Sequence, residues 1–498
     1  APPRSPSVRH RTLRPMPPST SLFLLASAFG PSITTAVRLR VQVGGREPYW
    51  PTKGGDFNHS GFSRFTGPFD LSKPAWTFEE PRRKEKGVRN QIMKVFHGSP
   101  MIDGEYNVYI QSTTGWVYSL DRQGRLRWEF ETSSGNPSNV ALDNVTVYTI
   151  ADDGMAFAID AATGRERWRS KVARHAPDDT HSLTVVGDTL LTACSSRDTT
   201  QMNEAVCALS TRDGRVKWTY SMQAATGRQD AMAANQMQAV VQGNVIFADD
   251  FGSVYCVSLA KGRELWRTQN ITSAGRIVAS HGMAPYGTTA TGIVGGQGLV
   301  FHPFNSAGGQ GIVTARSLDT GRLVWQRQLD LESNAAPATG VLQPGGRSVL
   351  VVPVGSNPGM VAMSPLEQAL YQAGVIKPVV TKVLALDAST GETVWTFTPP
   401  RWDGRVAGSF VSTEGSGDLC APDNYGMPTV GADGTVYVNW SGGYAFALRD
   451  ANGDGTVDGS DPREVSSYQH GFGSNGATAL APGFAVAPSC RQLVAWAA

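Results

Sequence analysis

Apolar and polar residues alternate in short runs along most of the chain, as at Val117-Tyr118 and Met155-Ala156-Phe157. Alternation with a period of two predicts strands that bury one face. Each run leads into a turn and then into a second run that ends in tryptophan. Ala158-Ile159-Asp160-Ala161-Ala162-Thr163-Gly164-Arg165-Glu166-Arg167-Trp168 returns as Ala385-Leu386-Asp387-Ala388-Ser389-Thr390-Gly391-Glu392-Thr393-Val394-Trp395. Ala208 to Trp218, Cys256 to Trp266 and Ala315 to Trp325 keep the spacing with Ser in place of Asp, and Ser119 to Trp128 is one residue shorter. The unit reads strand, tight turn, strand. Asp or Ser bonds the backbone two residues on, and Gly takes the positive φ that closes the hairpin. One Trp per unit is a large amphipathic plate, expected to pack between neighbouring sheets with its N–H on a backbone acceptor.

Self-similarity at this period predicts a repeat architecture. Trp128, Trp168, Trp218, Trp266, Trp325 and Trp395 close six units. A seventh runs through Gly434–Val438, Tyr444–Leu448 and Val465–Tyr468. An eighth has Thr478–Leu480, Phe484–Val486 and Leu493–Trp496 but no last strand. Pro74-Ala75-Trp76-Thr77-Phe78 carries the Trp-ending strand and lacks the three before it. Joining the two ends closes a ring and removes exposed sheet edges. The expected fold is all-β: an eight-bladed β-propeller over residues 47–498, closed by pairing the N-terminal strand with the C-terminal strands, at roughly 56 residues per blade.

Composition agrees. The chain has 498 residues with 55 Gly, 30 Pro and 12 Trp, and only 17% are charged. That mixture excludes disorder and argues against a helical bundle. A formal charge of +2 gives no field for nucleic acid. Residues 1–46 contain no Asp or Glu but carry Arg4, Arg9, Arg11, Arg14, Arg38, Arg40 and Arg46 around the apolar run Ser21–Ala28. This stretch reads as a leader, a secretory signal that would make the protein secreted or extracytoplasmic. An organelle transit peptide and a basic tail are the other readings. No segment reaches ~18 uninterrupted apolar residues, so no transmembrane segment is expected. The five cysteines, at 194, 207, 256, 420 and 490, contain no C-x-x-C. Cys420 and Cys490 fall in the last two repeats and invite a disulfide. Cys207 and Cys256 sit in alternating strands and read as small buried residues.

The A-x-D-x-x-x-G-x-x-x-W signature resembles the tryptophan-docking motif of the pyrroloquinoline quinone (PQQ) repeat propellers, over about residues 50 to 496. That family holds quinoprotein alcohol dehydrogenases and a non-catalytic outer-membrane assembly scaffold, so the resemblance speaks for fold more than function. For the dehydrogenases it implies a pair of adjacent cysteines, a tryptophan floor, a calcium held by Glu, Asn and Asp, and an Asp base. No adjacent cysteines occur here, nor any segment that places those ligands together. Ligand-binding candidates are polar residues before the innermost strands: His97, His181, Asn235, Asn334, Asn424 and Asn475. They would either converge on one axial mouth and hydrogen-bond a sugar, quinone or peptide, or satisfy loop backbone.

One further motif is sharp. Asp450-Ala451-Asn452-Gly453-Asp454-Gly455-Thr456-Val457-Asp458-Gly459-Ser460-Asp461 puts oxygen side chains at loop positions 1, 3, 5, 9 and 12, with Gly at 6 and the Thr456 carbonyl at 7. That spacing suits a wrapped Ca²⁺ and resembles the dockerin-type EF-hand-like loop. It stands where other repeats carry the Asp-x-x-x-Gly turn, so a structural calcium would hold blade seven to its outer strand. The sequence therefore supports a non-catalytic scaffold with a protein or carbohydrate partner. The alternative is a divergent PQQ-dependent oxidoreductase acting on an alcohol or sugar.

Overall fold

The structure is a computed structural model. It describes residues 46–85, 95–135, 139–176, 182–195, 204–228, 231, 238–249, 253–268, 290–294 (backbone only), 297–306, 310–333, 335–343, 345–359, 364–408, 420 and 423–498. The strands form eight sheets, antiparallel except for one added strand, arranged as an eight-bladed β-propeller. Blades 1 to 6 span 101–131, 141–171, 184–221, 239–267, 290–328 and 338–397, and blade 7 spans 429–469. Blade 8 takes three strands from 479–497 and its outermost strand from Trp76–Glu79. The expected closure is present, with Trp76 opposite Ala495, Thr77 opposite Val494, Phe78 opposite Leu493 and Glu79 opposite Gln492. In each blade the first strand is innermost, so all inner strands start at one face (the start side) and end at the other (the end side).

The repeat motif is the joint between blades. The indole N–H of each outer-strand Trp donates to a carbonyl in the next blade's turn: Trp76 to Arg122 at 2.9 Å, Trp128 to Ala161 at 3.0 Å and Trp168 to Thr211 at 2.8 Å. Trp218 to Leu259, Trp266 to Leu318 and Trp325 to Ala388 repeat it at 2.8, 2.9 and 3.0 Å. The glycine of the receiving turn lies under the ring. A Cβ on Gly262 would come within 2.5 Å of Trp218, and its φ of +62° already disfavours other residues. One residue type thus closes the turn and makes room for the plate of the blade before.

Two joints depart from this rule. Between blades 6 and 7, Thr456–Val457 from the acidic loop adds a parallel fifth strand to blade 6, with Thr396 opposite Thr456 and Phe397 opposite Val457. Trp395 and Val457 are buried in the same core. The loop therefore ties blade 7 to its neighbour as well as leading into blade 7's own outer strand. Between blades 7 and 8, Leu71 serves as the bridge. Its N–H donates to Ser466 Oγ at 2.8 Å, and its carbonyl accepts from Trp496 Nε1 at 2.9 Å.

Cys420 and Cys490 form a disulfide. Cys194 and Cys207 form another, which corrects the reading of Cys207 as a simple buried residue: the second and third strands of blade 3 bring the two side by side. Cys256 is free and buried. A capped helix, Pro365–Gln372, is inserted between the second and third strands of blade 6. Among the described residues no helix is long and apolar enough to cross a membrane.

Candidate functional site

Three of the six residues expected at the axial mouth are described: His97, Asn424 and Asn475; His181, Asn235 and Asn334 lie outside the described residues. His97 and Asn475 do meet. Both are buried, and Asn475 Nδ2 lies 3.1 Å from His97 Nε2, joining blades 8 and 1. An amide nitrogen can only donate, so Nε2 is the acceptor in this contact. Asn475 Oδ1 accepts from the Asp423 N–H at 3.3 Å. Asn424 stands apart, with Nδ2 donating to the Gly355 carbonyl of blade 6 at 2.6 Å and Oδ1 accepting from the Tyr425 N–H at 2.9 Å.

Neighbouring polar groups follow the same logic. Ser99 N–H donates to Asn139 Oδ1 at 2.5 Å, and Ala477 N–H donates to Ser99 Oγ at 2.8 Å. Asn439 Nδ2 donates to the Gly476 carbonyl at 2.9 Å, and Ser333 N–H donates to Asn305 Oδ1 at 2.9 Å. These bonds run between blades 1 and 2, 8 and 1, 7 and 8, and 6 and 5. A buried backbone group at the start of an inner strand needs a partner, and these side chains supply it from the adjacent blade. Asn139, Asn305 and Asn439 were not singled out in the sequence, although Asn139 precedes its inner strand just as Ser99 does.

The acidic loop is built mostly on its own backbone. Asp450 accepts from Gly453 N–H at 2.8 Å and Gly455 N–H at 3.1 Å, Asn452 Oδ1 from Asp454 N–H at 2.8 Å, and Asp454 Oδ1 from Thr456 N–H at 2.8 Å. Asp458 accepts from Ser460 N–H at 2.8 Å, which holds its carboxyl below the usual carboxylate range. Asp461 is gripped by the Arg463 guanidinium at 2.5 Å and is lowered by that bond. The carboxylate folded into the loop is Glu464, fully buried, which takes the N–H groups of Asn452 at 3.3 Å and Asp458 at 2.8 Å. Glu464 lies three residues beyond the twelve-residue pattern, so spacing alone did not find it. Among the described residues no three His, Cys, Asp or Glu side chains gather closely enough to hold a metal ion. The donor chemistry suits a hard cation, while Asp461 is turned toward Arg463.

A family model described as outer membrane protein assembly factor BamB matches residues 73–296. The chain is 24% identical over 331 residues to outer membrane protein assembly factor BamB of Yersinia pestis, covering 64% of this chain and 77% of that one. BamB from Moraxella catarrhalis superposes with a TM-score of 0.55 at 13% identity, over 86% of this chain and all of that one. Over residues 73–296 the chain resembles the PQQ-repeat propellers. Quinohemoprotein alcohol dehydrogenase from Comamonas testosteroni shares the fold, with a TM-score of 0.60 at 12% identity over 90% of this chain and 80% of that one.

Within this propeller the residues present do not fit a quinone of the kind the dehydrogenases hold. Four of the five cysteines are paired, each with a partner distant in sequence, and no two are adjacent. The described asparagines of the mouth spend their amides on backbone and on His97. Residues 50–66 run along the inner strands, and their Lys53 and His59 are buried.

Proposed function

We propose that this propeller is an extracytoplasmic binding scaffold for a protein partner, with no redox chemistry of its own. The observation that carries the reading is where the described polar residues of the axial mouth go: they tie blade to blade. A site that orients a substrate would instead aim a few convergent polar groups into a pocket. Two disulfides suit an oxidising compartment outside the cytoplasm. The curated sequence relatives that match more than half of the chain are named for outer membrane protein assembly, which supports a protein partner over a carbohydrate one. The competing reading is a divergent quinoprotein dehydrogenase, favoured only by the shared fold. Purified protein mixed with PQQ, Ca²⁺ and an electron-accepting dye decides between them. The scaffold reading expects no quinone fluorescence change and no dye reduction with a panel of alcohols and sugars. Turnover with any of these would overturn it.

The loop at 450–461 completes the reading as a structural calcium site. Asp450, Asn452, Asp454, the Thr456 carbonyl, Asp458 and Asp461 are the donors. Binding would require Asp461 to leave Arg463, and it would stiffen the joint that lacks a docked tryptophan turn. Isothermal titration with Ca²⁺ tests the site: one bound ion, lost in Asp454→Ala, is expected, and no heat of binding would remove it.

A further inference from the structure

Residues 50–66 visit seven of the eight blades, nearly in chain order, with His59 returning to blade 3 after Phe57 has met blade 4. Trp50 and Ile102 of blade 1 exchange two backbone bonds at 3.0 Å, and the Pro51 carbonyl accepts from Leu142 of blade 2 at 2.8 Å. Thr52 Oγ1 donates to the Leu183 carbonyl at 2.7 Å, and His59 Nε2 bonds Thr184 Oγ1 of blade 3 at 2.7 Å. The Phe57 carbonyl accepts from Val240 of blade 4 at 2.7 Å, Ser60 from Thr339 of blade 6 at 2.6 Å and Gly61 from Val430 of blade 7 at 2.8 Å. The Phe65 carbonyl accepts from Ala432, just past blade 7's inner strand, at 3.1 Å. The Thr66 carbonyl then accepts from Gly483 of blade 8 at 2.9 Å. The segment has no secondary structure of its own to hold it. Its shape comes from turns within it, chiefly Gly61 N–H on the Gly54 carbonyl at 2.8 Å and the Asp56 carboxylate on Ser60 N–H at 3.0 Å.

We propose that residues 50–66 act as one cooperative strap, which seats only on a completed ring and whose release loosens the inner strands of all the blades it touches together. The physical ground is that its partners lie as far apart in sequence as Leu142 and Gly483. No subset of blades offers the whole seat, so the part of the chain that precedes every blade is ordered last. A segment with few internal bonds loses most of its order when a central contact goes, because each remaining bond must then hold a longer free loop. Seated, the strap covers the inner strands it bonds; released, it leaves their backbone groups open.

Native-state hydrogen exchange on the full chain reads this directly. The amides of Leu142, Val240, Thr339, Val430, Ala432 and Gly483 all donate to the strap. They are expected to share one opening reaction, with a common dependence on sub-denaturing urea. Gly61→Ala should speed all six together, by about tenfold or more, because its Cβ would meet the Ala338 backbone at 2.9 Å. Trp76→Ala, which acts on the outer ring, should leave the six unmoved relative to one another. Exchange at Leu142 and Val240 that ignores Gly61→Ala would overturn the proposal, as would six unrelated openings in the unsubstituted protein. That second measurement decides the matter even if the variant fails to fold.

Discussion

Gly164 lies directly beneath the indole of Trp128. A Cβ on Gly164 would fall 2.8 Å from the ring, while Trp128 Nε1 donates at 3.0 Å to the Ala161 carbonyl in the same turn. The two residues belong to adjacent repeats, so the conserved spacing inside one repeat is a packing rule between two. The same pairing recurs around the ring, at Gly214 with Trp168 and Gly321 with Trp266.

Gly164→Ala is expected to destabilise the protein by about 1–3 kcal/mol for its backbone alone, and by more because the indole must also move. Gly243 is the control: its φ is +79° but nothing lies within 4 Å of an added Cβ. Chemical denaturation of both variants should rank Gly164→Ala clearly worse. Equal losses would mean that the close approach to Trp128 carries no energy.

Trp128 separates the indole's two contributions. Trp128→Phe keeps most of the plate and loses the bond to Ala161, with an expected cost of about 1 kcal/mol beyond repacking. Trp128→Ala removes the plate as well and should cost about 3–5 kcal/mol. Urea unfolding midpoints at unchanged slope measure both.

A calcium ion bound to the folded state alone raises the melting temperature by mass action. Excess chelator should therefore lower it, and added Ca²⁺ should restore it. Asp450→Ala should melt like the chelated protein and ignore the ion. Identical melting curves for all of these would show that the loop 450–461 needs no metal.

Acid should weaken the fold below about pH 6.5. Burial holds His59 neutral down to about 3 and His470 down to about 4, against an ordinary 6.5. In that window the unfolded chain binds more protons than the folded one, so stability falls as pH falls. Asp56 opposes this: burial pushes its carboxyl up to about 6 from 3.8, so between those values acid favours the folded state. Two imidazoles with wide shifts outweigh one carboxyl. Melting temperature should drop from pH 6.5 to 4, less steeply in His470→Asn and more steeply in Asp56→Asn.

The eight blades, the strand shared by the two chain ends and the role of the repeated Trp were all legible, because alternation, turn chemistry and spacing each pointed to one arrangement. The strap was not. Pro51, Gly54, Gly55, Asn58 and Gly61 give it no period, and its order comes from contacts with blades hundreds of residues away. The disulfide between Cys194 and Cys207 was hidden because alternation marks two strands without fixing how they pair. His97 and Asn475 were legible as neighbours at the start side, yet their bond to one another depends on how blades 8 and 1 meet. Ser364-Pro365-Leu366-Glu367 did carry a readable signal, a capping box with proline in the first turn, for the helix inserted in blade 6.

Ring closure through the N-terminal strand underlies every joint described above, and a designed crosslink tests it most directly. Thr77 and Val494 lie opposite each other on antiparallel strands. In Thr77→Cys/Val494→Cys, mild oxidation and peptide mapping should recover a disulfide joining the first strand to the last, with the single-cysteine variants as controls. A folded double variant whose two cysteines stay unpaired, or pair elsewhere, would contradict the closed eight-bladed ring.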